Sequence, residues 1–399
     1  MPKIKVVLFG GGPACLIAAY HLSEKYDVHI FEKGKRLGRK FLVAGNGGFN
    51  LTNEAQGADL QQVYSNHPKL HKALAEFNTS DTRNWLSKIG VETFVGSSGR
   101  VFPKKGIKPA DVLKRIIKVL EKKGVQIHLN HNFIGFNNNA KPIVKSNENE
   151  IVVEAHHYVF GLGGGSWTKT GSNSLWMSSF QEIEVQTLPF RSSNCGIDVI
   201  WDREFQEKFG GTPLKNIAIS AYEHSYKGEA VVTGYGLEGN AIYPLVPAIR
   251  EALTKNERAY ITIDFKPNSS IEMLQSKVPE VGIKPKNYAY TFNISKAVQQ
   301  IAKKGLSKAD YLNPHKFAAS LKTIVVPING LRPVEQAIST VGGIAMTEID
   351  EQFGLNNYPQ ISIIGEMLDW DAPTGGFLLQ GCFSTGYVVA QKLNEQSNL

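Results

Sequence analysis

Two glycines and one glutamate near the start of the chain have the types and spacing needed to bind a nucleotide. Gly10 and Gly12 follow an apolar run over residues 6–9, and Glu32 stands twenty residues after Gly12, at the end of a second apolar run. A glycine turn leading into a helix leaves backbone N–H groups free to hold a pyrophosphate, and an acidic side chain about 20 residues further on accepts hydrogen bonds from ribose hydroxyls. The pattern predicts a dinucleotide site in a βαβ unit over residues 4–32.

The glycine pattern G-x-G-x-x-G/A is met at its first two positions, but Cys15 holds the third. That position is small so that the helix and the strand can pack closely. Cysteine is small and tolerates burial, so we expect a slightly wider crossing and an intact fold. An ordinary glycine-rich turn between a strand and a helix is the alternative interpretation.

Size and composition are those of a globular protein with two or three domains. The chain has 399 residues, of which 42% are hydrophobic and 20% are charged. Cys15, Cys195 and Cys382 are far apart and form no CxxC, which predicts a reducing compartment without disulfides or a zinc site. No stretch approaches 18 apolar residues, so we expect no membrane span and a cytoplasmic protein.

The net charge of +8 has two interpretations. A basic surface can attract nucleic acid or an anionic substrate, whereas a modest excess of lysine also serves solubility. The basic residues look scattered, with short clusters such as Lys104-Lys105 and Lys122-Lys123. This favours a solvated surface, and we do not expect nucleic acid as a partner.

Hydrophobic spacing indicates several further elements. Residues 68–89 have helical periodicity, and residues 133–162 alternate as in a small antiparallel meander with a turn at 137–139. Residues 158–166 read as a buried strand that enters a second glycine turn. No acidic residue follows at the right distance, so we interpret this turn as a second contact with the same ligand.

The character of the sequence changes around Pro189 and returns to glycine-rich segments near the C-terminus. We predict a dinucleotide-binding domain interrupted by an inserted β domain, which itself carries a helical lobe. The predicted bounds are 1–189 and 336–399 for the first domain, 190–268 and 321–335 for the inserted domain, and 269–320 for the lobe.

Three glycine-rich segments, 10–14, 45–50 and 375–376, must meet in this organisation. One NAD molecule would not require all three, whereas a cofactor with an adenosine end and a tricyclic end would. N–H groups near Gly376 and Phe377, at the start of the last helix, carry partial positive charge. Aimed at the pyrimidine edge of a flavin, they would stabilise the anionic reduced ring. An ordinary helix start is the alternative.

Two long segments carry a resemblance to a known family. Residues 38–53 read GRKFLVAGNGGFNLTN, and residues 365–380 read GEMLDWDAPTGGFLLQ. With further motifs at 99–103, 233–239 and 337–343, they resemble the aminoacetone-oxidase-like family of FAD-binding flavoproteins. The most similar branch has Gly-Gly-[Leu/Phe]-Asn in the first segment and consists of uncharacterised bacterial flavoproteins.

The resemblance implies FAD in a Rossmann-like α/β fold of the two-dinucleotide-binding-domain type, with an inserted β-barrel domain and a small helical lobe. Phe133 and Ile134 would contact the adenine side through their backbone. By position, the implied cofactor-binding residues are Gly10, Gly12, Pro13, Ala14, Glu32, Lys33, Arg39, Lys40, Asn46, Phe133, Ile134, Gly163, Gly164, Gly365, Glu366, Gly376, Phe377 and Leu378.

One departure limits what the resemblance implies. Many relatives have Arg-Cys-Asn where this chain has Gly48-Phe49-Asn50. The change removes a cation and a thiol near the expected flavin, so the substrate and the redox partner of those relatives do not transfer.

The sequence favours an FAD-dependent oxidoreductase that acts on a small organic substrate of the amine or enone type, with the flavin as the redox centre. Oxidase and reductase activity both stay open, and NAD(P)H is an open candidate for the electron donor. No catalytic residue is assigned. Arg100, Tyr235 and Trp370 are candidate pocket residues, whose alternative roles are a surface cation, a core aromatic and a loop anchor.

We expect no metal site. His156 and His157 are adjacent, so their side chains would point to opposite faces of a strand, and no third ligand accompanies His67 and His71, which have helical i,i+4 spacing.

Two other classes of function stay open. An FAD-dependent RNA-modifying protein would explain the positive charge and would bind RNA in a salt-sensitive way. A non-catalytic flavin-binding sensor would hold FAD without turnover. The fold alone does not separate these classes, and the substrate and the oligomeric state are undetermined.

Overall fold

The computed structural model describes residues 3–43, 49–65, 67–96, 98–168, 171–172, 174–255 and 258–397. The chain divides into two compact units. Unit 1 comprises Met1–Arg191 and Ile338–Leu399, and unit 2 comprises Ser192–Ala337. Each unit has a hydrophobic core of its own.

Unit 1 is built on a five-stranded parallel sheet. The strands pair in the order β20-β10-β1-β2-β6, and every neighbouring pair is parallel. The short apolar runs of the inner strands β1 and β10 are buried because both faces of the sheet are covered there. Parallel strands end at one common edge, which is where ligands bind in sheets of this kind. The strands are β1 (Lys5–Phe9), β2 (Asp27–Glu32), β6 (Gln126–Leu129), β10 (His157–Phe160) and β20 (Ile361–Ile363).

Smaller antiparallel sheets complete unit 1. The predicted meander over residues 133–162 is confirmed as the sheet β7-β8-β9, with its first turn at Asn137. The other two sheets have the orders β3-β5-β4 and β11-β19. The strands are β3 (Thr52–Asn53), β4 (Thr93–Val95), β5 (Arg100–Pro103), β7 (His131–Phe136), β8 (Pro142–Ser146), β9 (Asn149–Val152), β11 (Thr187–Ser192) and β19 (Thr340–Ile344).

The helices of unit 1 cover the parallel sheet and its C-terminal edge. The predicted helical structure of residues 68–89 is confirmed, and it consists of two helices, α4 and α5. The Asn78 side chain accepts hydrogen bonds from the N–H groups of Ser80 and Asp81, which starts a new helix there. The helices are α1 (Pro13–Leu22), α2 (Arg39–Val43), α3 (Gly57–Gln62), α4 (Pro68–Glu76), α5 (Thr79–Lys88), α6 (Pro109–Lys122), α7 (Trp176–Glu182) and α15 (Phe377–Gln396).

The first and last helices of unit 1 pack against each other. Gly386 of α15 lies so close to the carbonyl oxygen of Ala14 in α1 that a Cβ on Gly386 would overlap it. This contact holds the C-terminal helix beside the glycine turn that starts α1. Among the described helices, none combines the length and the apolar composition that crossing a membrane requires.

Unit 2 is built on a seven-stranded sheet with the order β17-β16-β13-β14-β15-β12-β18, and its neighbouring strands are antiparallel. Only Asn329 separates β17 from β18 in the chain, so the two edges of the sheet approach each other and the sheet curls as in a barrel. The strands are β12 (Ile197–Asp198), β13 (Pro213–Ala221), β14 (His224–Val232), β15 (Gly236–Glu238), β16 (Ala259–Asp264), β17 (Ile324–Ile328) and β18 (Gly330–Leu331).

Helices of unit 2 include a lobe inserted between β16 and β17. Tyr288, Phe292 and Phe317 are fully buried and form the aromatic centre of this lobe. The lobe helices are α10 (Ile271–Gln275), α11 (Tyr288–Thr291), α12 (Lys296–Lys304), α13 (Lys308–Leu312) and α14 (Pro314–Ser320), and α8 (Arg203–Phe209) and α9 (Val246–Thr254) precede them.

Candidate cofactor cleft

A cavity of about 360 Å³ lies in unit 1 at the carboxyl ends of β1, β2, β10 and β20. This is the edge at which the sequence places its glycine turns. The predicted cofactor-binding residues that line the cavity are Gly10, Gly12, Pro13, Ala14, Glu32, Lys33, Arg39, Lys40, Phe133, Ile134, Gly163, Gly365 and Glu366.

The glycine turn after β1 has no side chains, so a ligand in the cavity can approach its backbone. Gly10 has φ +108°, and a Cβ there would overlap the carbonyl oxygen of Gly161. Gly12 is the N-cap of α1, and Pro13 occupies the first turn of the helix. The first N–H groups of a helix have no acceptor within the helix and carry partial positive charge. A pyrophosphate fits this chemistry, and no side chain from Gly10 to Gly12 blocks its approach.

Cys15, at the third position of the glycine pattern, fits because its neighbour in space, Gly161, has no side chain. Cys15 is fully buried, and its thiol donates to the carbonyl oxygen of Phe9 at 3.5 Å. The Sγ atom lies where a Cβ of Gly161 would approach to 2.5 Å. The space that Cys15 occupies is therefore provided by the missing side chain of Gly161, directly after β10.

The Glu32 carboxylate is held rigidly at the end of β2. Its Oε2 atom accepts the N–H of Gly11 at 2.7 Å, and its Oε1 atom accepts the N–H of Gly34 at 2.7 Å. Each oxygen has a further lone pair, so the carboxylate can also accept hydrogen bonds from the two hydroxyls of a ribose. The donor set around Glu32 fits the adenosine half of a dinucleotide.

Cationic side chains line the same part of the cavity. Lys33 follows Glu32 directly, and Arg39 starts α2. Burial lowers the pKa of the Lys33 ammonium group, and the Glu32 carboxylate opposes that shift. The two cations give the cavity positive charge that suits a diphosphate.

One wall of the cavity is aromatic. Phe9 and Phe133 line it, and Phe9 stacks on Phe160 with the ring centroids 4.6 Å apart. Ile134 is a bulge residue between β7 and β8, so its backbone is out of the ladder, and its carbonyl oxygen accepts the hydroxyl of Ser179 at 3.3 Å. An apolar wall beside irregular backbone fits a flat heterocycle such as adenine.

A lysine–glutamate pair lines another part of the cavity. The Lys40 ammonium lies 2.7 Å from Oε2 of Glu366 and donates to the hydroxyl of Ser166 at 2.9 Å. Ser166 donates in turn to the carbonyl oxygen of Ile338 at 3.2 Å. These contacts fix the cation in place on the cavity wall.

The start of α15 is anchored by buried hydrogen bonds. Gly376 is its N-cap with φ +99°, and a Cβ there would overlap the backbone of Thr52. Gln380 is fully buried; its Oε1 atom accepts the hydroxyls of Thr52 at 2.7 Å and Thr82 at 2.8 Å, and its Nε2 atom donates to the carbonyl oxygen of Phe77 at 2.9 Å. The network ties the first turn of α15 to β3 and α5.

Some predicted residues lie elsewhere. Gly376, Phe377 and Leu378 start α15 but are not among the residues lining the cavity. Gly164 does not line it either, and a Cβ on Gly164 would overlap the Thr340 hydroxyl. Asn46, with the rest of 44–48, lies outside the described residues.

The three candidate pocket residues have different surroundings. Trp370 is buried, and its indole N–H donates to the carbonyl oxygen of Gly365 at 2.8 Å, as in a loop anchor. Arg100 is half-buried in β5, with its Nε atom near Gly375. Tyr235 belongs to unit 2, where its ring lies 4.3 Å from the Arg332 guanidinium carbon. Burial, together with the hydrogen bond to Glu238, raises the pKa of the Tyr235 hydroxyl.

Sequence reasoning missed one whole side of the cavity. His131 and Asn132 on β7 line it, as do Trp176 and Ser179 on α7 and Cys382 on α15. No motif marks the α7 residues, and only the buried position of α7 against β7 brings them to the cleft. Among the residues the structure describes, no group of three His, Cys, Asp or Glu side chains could hold a metal ion.

The strand order, the bare glycine turn and the acidic end of β2 define a Rossmann-type FAD-binding α/β fold, that of the FAD-dependent oxidoreductases. The family model described as the HI0933-like protein Rossmann domain matches residues 4–392. The chain therefore belongs to the HI0933-like family. This match does not reach the narrower aminoacetone-oxidase-like branch.

Curated relatives match from end to end. A 3-dehydro-bile acid delta(4,6)-reductase of Clostridium scindens is 21% identical, with 98% of this chain and 99% of the relative covered. A ribosomal RNA dihydrouridine synthase of Haemophilus influenzae is 22% identical, with 98% of each covered. Among solved structures, 3-ketosteroid delta1-dehydrogenase of Sterolibacterium denitrificans has a TM-score of 0.55 at 11% identity, covering 99% of this chain and 100% of that one. That likeness concerns the fold alone.

Proposed function

We propose that the protein is an FAD-dependent reductase of a carbon–carbon double bond conjugated to a carbonyl group in a small organic substrate. The observation that carries the proposal is the match over 98% of the chain to two relatives with one chemistry in common. Reduction of a delta(4,6) 3-dehydro-bile acid and formation of dihydrouridine both saturate such a bond.

The proposed reaction adds two electrons and two protons across the double bond, which becomes a single bond. A donor of the NAD(P)H class gives up a hydride, which is two electrons and one proton, and solvent supplies the second proton. FAD, when bound, supplies the redox centre between donor and substrate. The protein contributes binding, orientation and a fixed electrostatic environment.

We assign the two ends of the cofactor from the chemistry of the cleft. The turn at Gly10–Ala14 would hold the pyrophosphate, and Glu32 would hold the ribose. Phe9, Phe133 and the bulge at Ile134 would enclose the adenine. This half of the assignment rests on contacts that are already formed within the protein.

The assignment of the flavin end of the cofactor rests on the charge of nearby groups. Lys40, fixed by Glu366 and Ser166, would supply an immobile positive charge beside the cofactor. The start of α15, from Gly376 to Leu378, would direct its partial positive charge toward the pyrimidine edge of the flavin. The start of α15 would favour the electron-rich form of the flavin, whereas the charge of Lys40 is partly offset by its ion pair with Glu366.

The first test identifies the cofactor and then the substrate class. The cofactor is released from the purified protein by heat and identified by chromatography, and the holoenzyme is then titrated anaerobically with NADH and NADPH. The reduced protein is mixed with 2-cyclohexen-1-one and, as the matched control, with cyclohexanone, which lacks the double bond. We expect the flavin absorbance to return with the enone only.

Two outcomes would contradict the proposal. A colourless protein that FAD does not reconstitute would exclude the cofactor. Bleaching by aminoacetone, together with no reoxidation by any enone, would instead support the amine oxidation that the aminoacetone-oxidase-like resemblance implies.

A second candidate substrate is a uracil ring in RNA. The observation that favours it is the relative from Haemophilus influenzae, a ribosomal RNA dihydrouridine synthase. The C5–C6 bond of uracil is conjugated to a carbonyl group, so the same redox chemistry would apply. Dihydrouridine in ribosomal RNA that was incubated with the reduced holoenzyme, measured by mass spectrometry, distinguishes this substrate from a small enone.

A further inference from the structure

The positive charge of the protein is concentrated in the lobe of unit 2. Residues 266–322 contain ten lysines, no arginine and three acidic residues, which is a net charge of +7 out of +8 for the whole chain. The rest of the chain is nearly neutral. The interpretation of the basic residues as scattered is therefore wrong for this lobe, and its charge needs an explanation of its own.

Ion pairs neutralise only part of this charge. Lys316 pairs with Asp310 at 2.5 Å, Lys322 pairs with Asp264 at 2.6 Å, and Lys304 pairs with Asp202. Six other lysines of the lobe are exposed and form no ion pair with any described residue. They are Lys277, Lys284, Lys286, Lys296, Lys303 and Lys308.

A buried hydrogen-bonded centre brings most of these lysines to one region. The Gln299 side chain of α12 donates to the carbonyl oxygen of Pro285 at 2.9 Å and to the hydroxyl of Tyr311 at 2.8 Å. Lys284 and Lys286 stand on either side of Pro285 in the chain. The segment before α11, helix α12 and helix α13 therefore meet at Gln299.

Helix α12 and helix α13 contribute the remaining cations. Lys296 and Lys303 lie about one turn before and one turn after Gln299 on α12, and Lys308 starts α13. The Lys303 ammonium lies 5.7 Å from the centre of the Tyr311 ring. Like charges on neighbouring elements repel, so folding alone does not favour this arrangement.

A hollow of about 400 Å³ adjoins the same face. Lys208 of α8 and Lys303 and Lys304 of α12 line it, beside the rings of Phe205 and Phe209. Asp202 and Glu204 also line it, and Asp202 is the partner of Lys304. The lysines offer contacts to phosphates, and the half-buried ring of Phe209 offers an apolar surface beside them, whereas Phe205 is buried in the core.

A solvent-exposed aromatic ring lies on the lobe as well. Tyr290 of α11 is 92% exposed, so its ring contributes almost nothing to the core. It stands four residues after Lys286. A solvent-exposed aromatic ring is a stacking platform for an unpaired base.

We propose that this face, which we call the lysine face (Lys284, Lys286, Tyr290, Lys296, Lys303 and Lys308), binds single-stranded RNA. Lysines contact phosphates as point charges and read no base sequence, whereas Tyr290 stacks on a base that is not paired. The inference concerns the same class of partner as the uracil substrate proposed above, but its evidence is the charge and the exposed ring of this surface. It is tested without turnover, so its failure is separate from failure of the redox proposal.

The experiment measures binding of a fluorescein-labelled, mixed-sequence 20-nucleotide RNA to the oxidised holoenzyme between 50 and 200 mM KCl. We expect the logarithm of the binding constant to fall with the logarithm of the salt concentration by about 0.7 for each phosphate contact. The triple variant Lys286→Gln, Lys296→Gln, Lys303→Gln should raise Kd at least about tenfold and reduce this slope by about 2. Tyr290→Ala should raise Kd about fivefold or more with the slope unchanged.

A charge-matched control uses another lysine stripe. Lys114, Lys118 and Lys122 lie four residues apart on the exposed side of α6 in unit 1. The triple variant Lys114→Gln, Lys118→Gln, Lys122→Gln removes the same charge and should change Kd less than about twofold. Circular dichroism and Tm check that both triple variants are folded.

Three results would overturn the proposal. The first is no RNA binding at 50 mM KCl, and the second is equal weakening of RNA binding by the two triple variants. The third is that the Lys286, Lys296 and Lys303 triple variant keeps its RNA affinity but loses binding to phosphatidylserine vesicles, which the wild-type protein binds. The last result would identify a lipid surface as the partner instead.

Discussion

The side chain of Cys15 in α1 fills the space that Gly161, directly after β10, leaves empty because it has no side chain. The buried Sγ atom of Cys15 lies where a Cβ on Gly161 would come within 2.5 Å. The helix and the sheet pack closely because one residue of the pair lacks a side chain. The small residue that the nucleotide pattern expects at one position is thus supplied from a distant segment.

This pairing predicts a coupled effect on stability. Gly161→Ala should lower the free energy of unfolding by about 1–3 kcal/mol because the new methyl group overlaps the thiol. Cys15→Ala should cost about 1 kcal/mol by itself, and the double variant should recover part of the Gly161→Ala loss. Recovery is partial because the new Cβ also meets Ile364. Urea unfolding of the four proteins measures the coupling, and simple additivity would exclude the contact.

The glycine turn predicts a specific loss of cofactor affinity. Gly10→Ala should weaken FAD binding at least about tenfold, because the turn has φ +108° and the methyl group overlaps Gly161. Gly106→Ala is the matched control, since Gly106 has φ +95° with no atom near its would-be Cβ. Fluorescence titration of the apoprotein with FAD measures both affinities. Equal affinities in the two variants would contradict the assignment of the turn to the pyrophosphate.

The buried hydrogen-bond network at Gln380 predicts a large loss of stability when its amide group is replaced by an apolar one. Gln380→Leu should lower the free energy of unfolding by about 2–4 kcal/mol, because the hydroxyls of Thr52 and Thr82 lose their buried acceptor. Gln396→Leu, on the exposed end of the same helix, should cost less than about 0.5 kcal/mol. Guanidinium unfolding compares the two variants, and similar losses would mean that the network does not anchor the helix.

Two buried histidines predict acid sensitivity. Burial lowers the pKa of His157 to about 4 and that of His21 to about 4, against 6.5 for an exposed histidine. Between pH 6.5 and 4 the unfolded chain therefore binds more protons than the folded one, so stability falls as the pH falls. The slope is about 1.4 kcal/mol per pH unit for each histidine.

Replacement of one histidine separates its contribution. His157→Gln should flatten the dependence of stability on pH in this range by one histidine's share, since glutamine can still bond the Ser362 hydroxyl. His224→Gln, at an exposed position, should leave the dependence unchanged. Urea unfolding at pH 7, 6, 5 and 4 measures these slopes. An unchanged slope in His157→Gln would mean that His157 is charged in the folded protein.

The amino-acid sequence alone predicted the elements whose partners are close in the chain. The unit from β1 through α1 to β2 places Gly10, Gly12 and Glu32 within one short stretch, so its alternating apolar runs and glycines specify it directly. The meander after residue 133 is equally local. For the same reason the family resemblance predicted the cofactor class, because it depends on contiguous segments.

Only the tertiary structure decided which distant groups meet. The partner of Cys15 is Gly161, the wall of the cleft includes Trp176 and Ser179, and Gln380 bonds to Thr52 and Thr82. None of these pairs has a spacing that a local pattern can record. The same holds for the lysine face, because Lys286, Lys296 and Lys303 are near one another only through the packing around Gln299. Periodicity reports which side of an element is apolar, whereas the choice of partner depends on how whole elements fill space together.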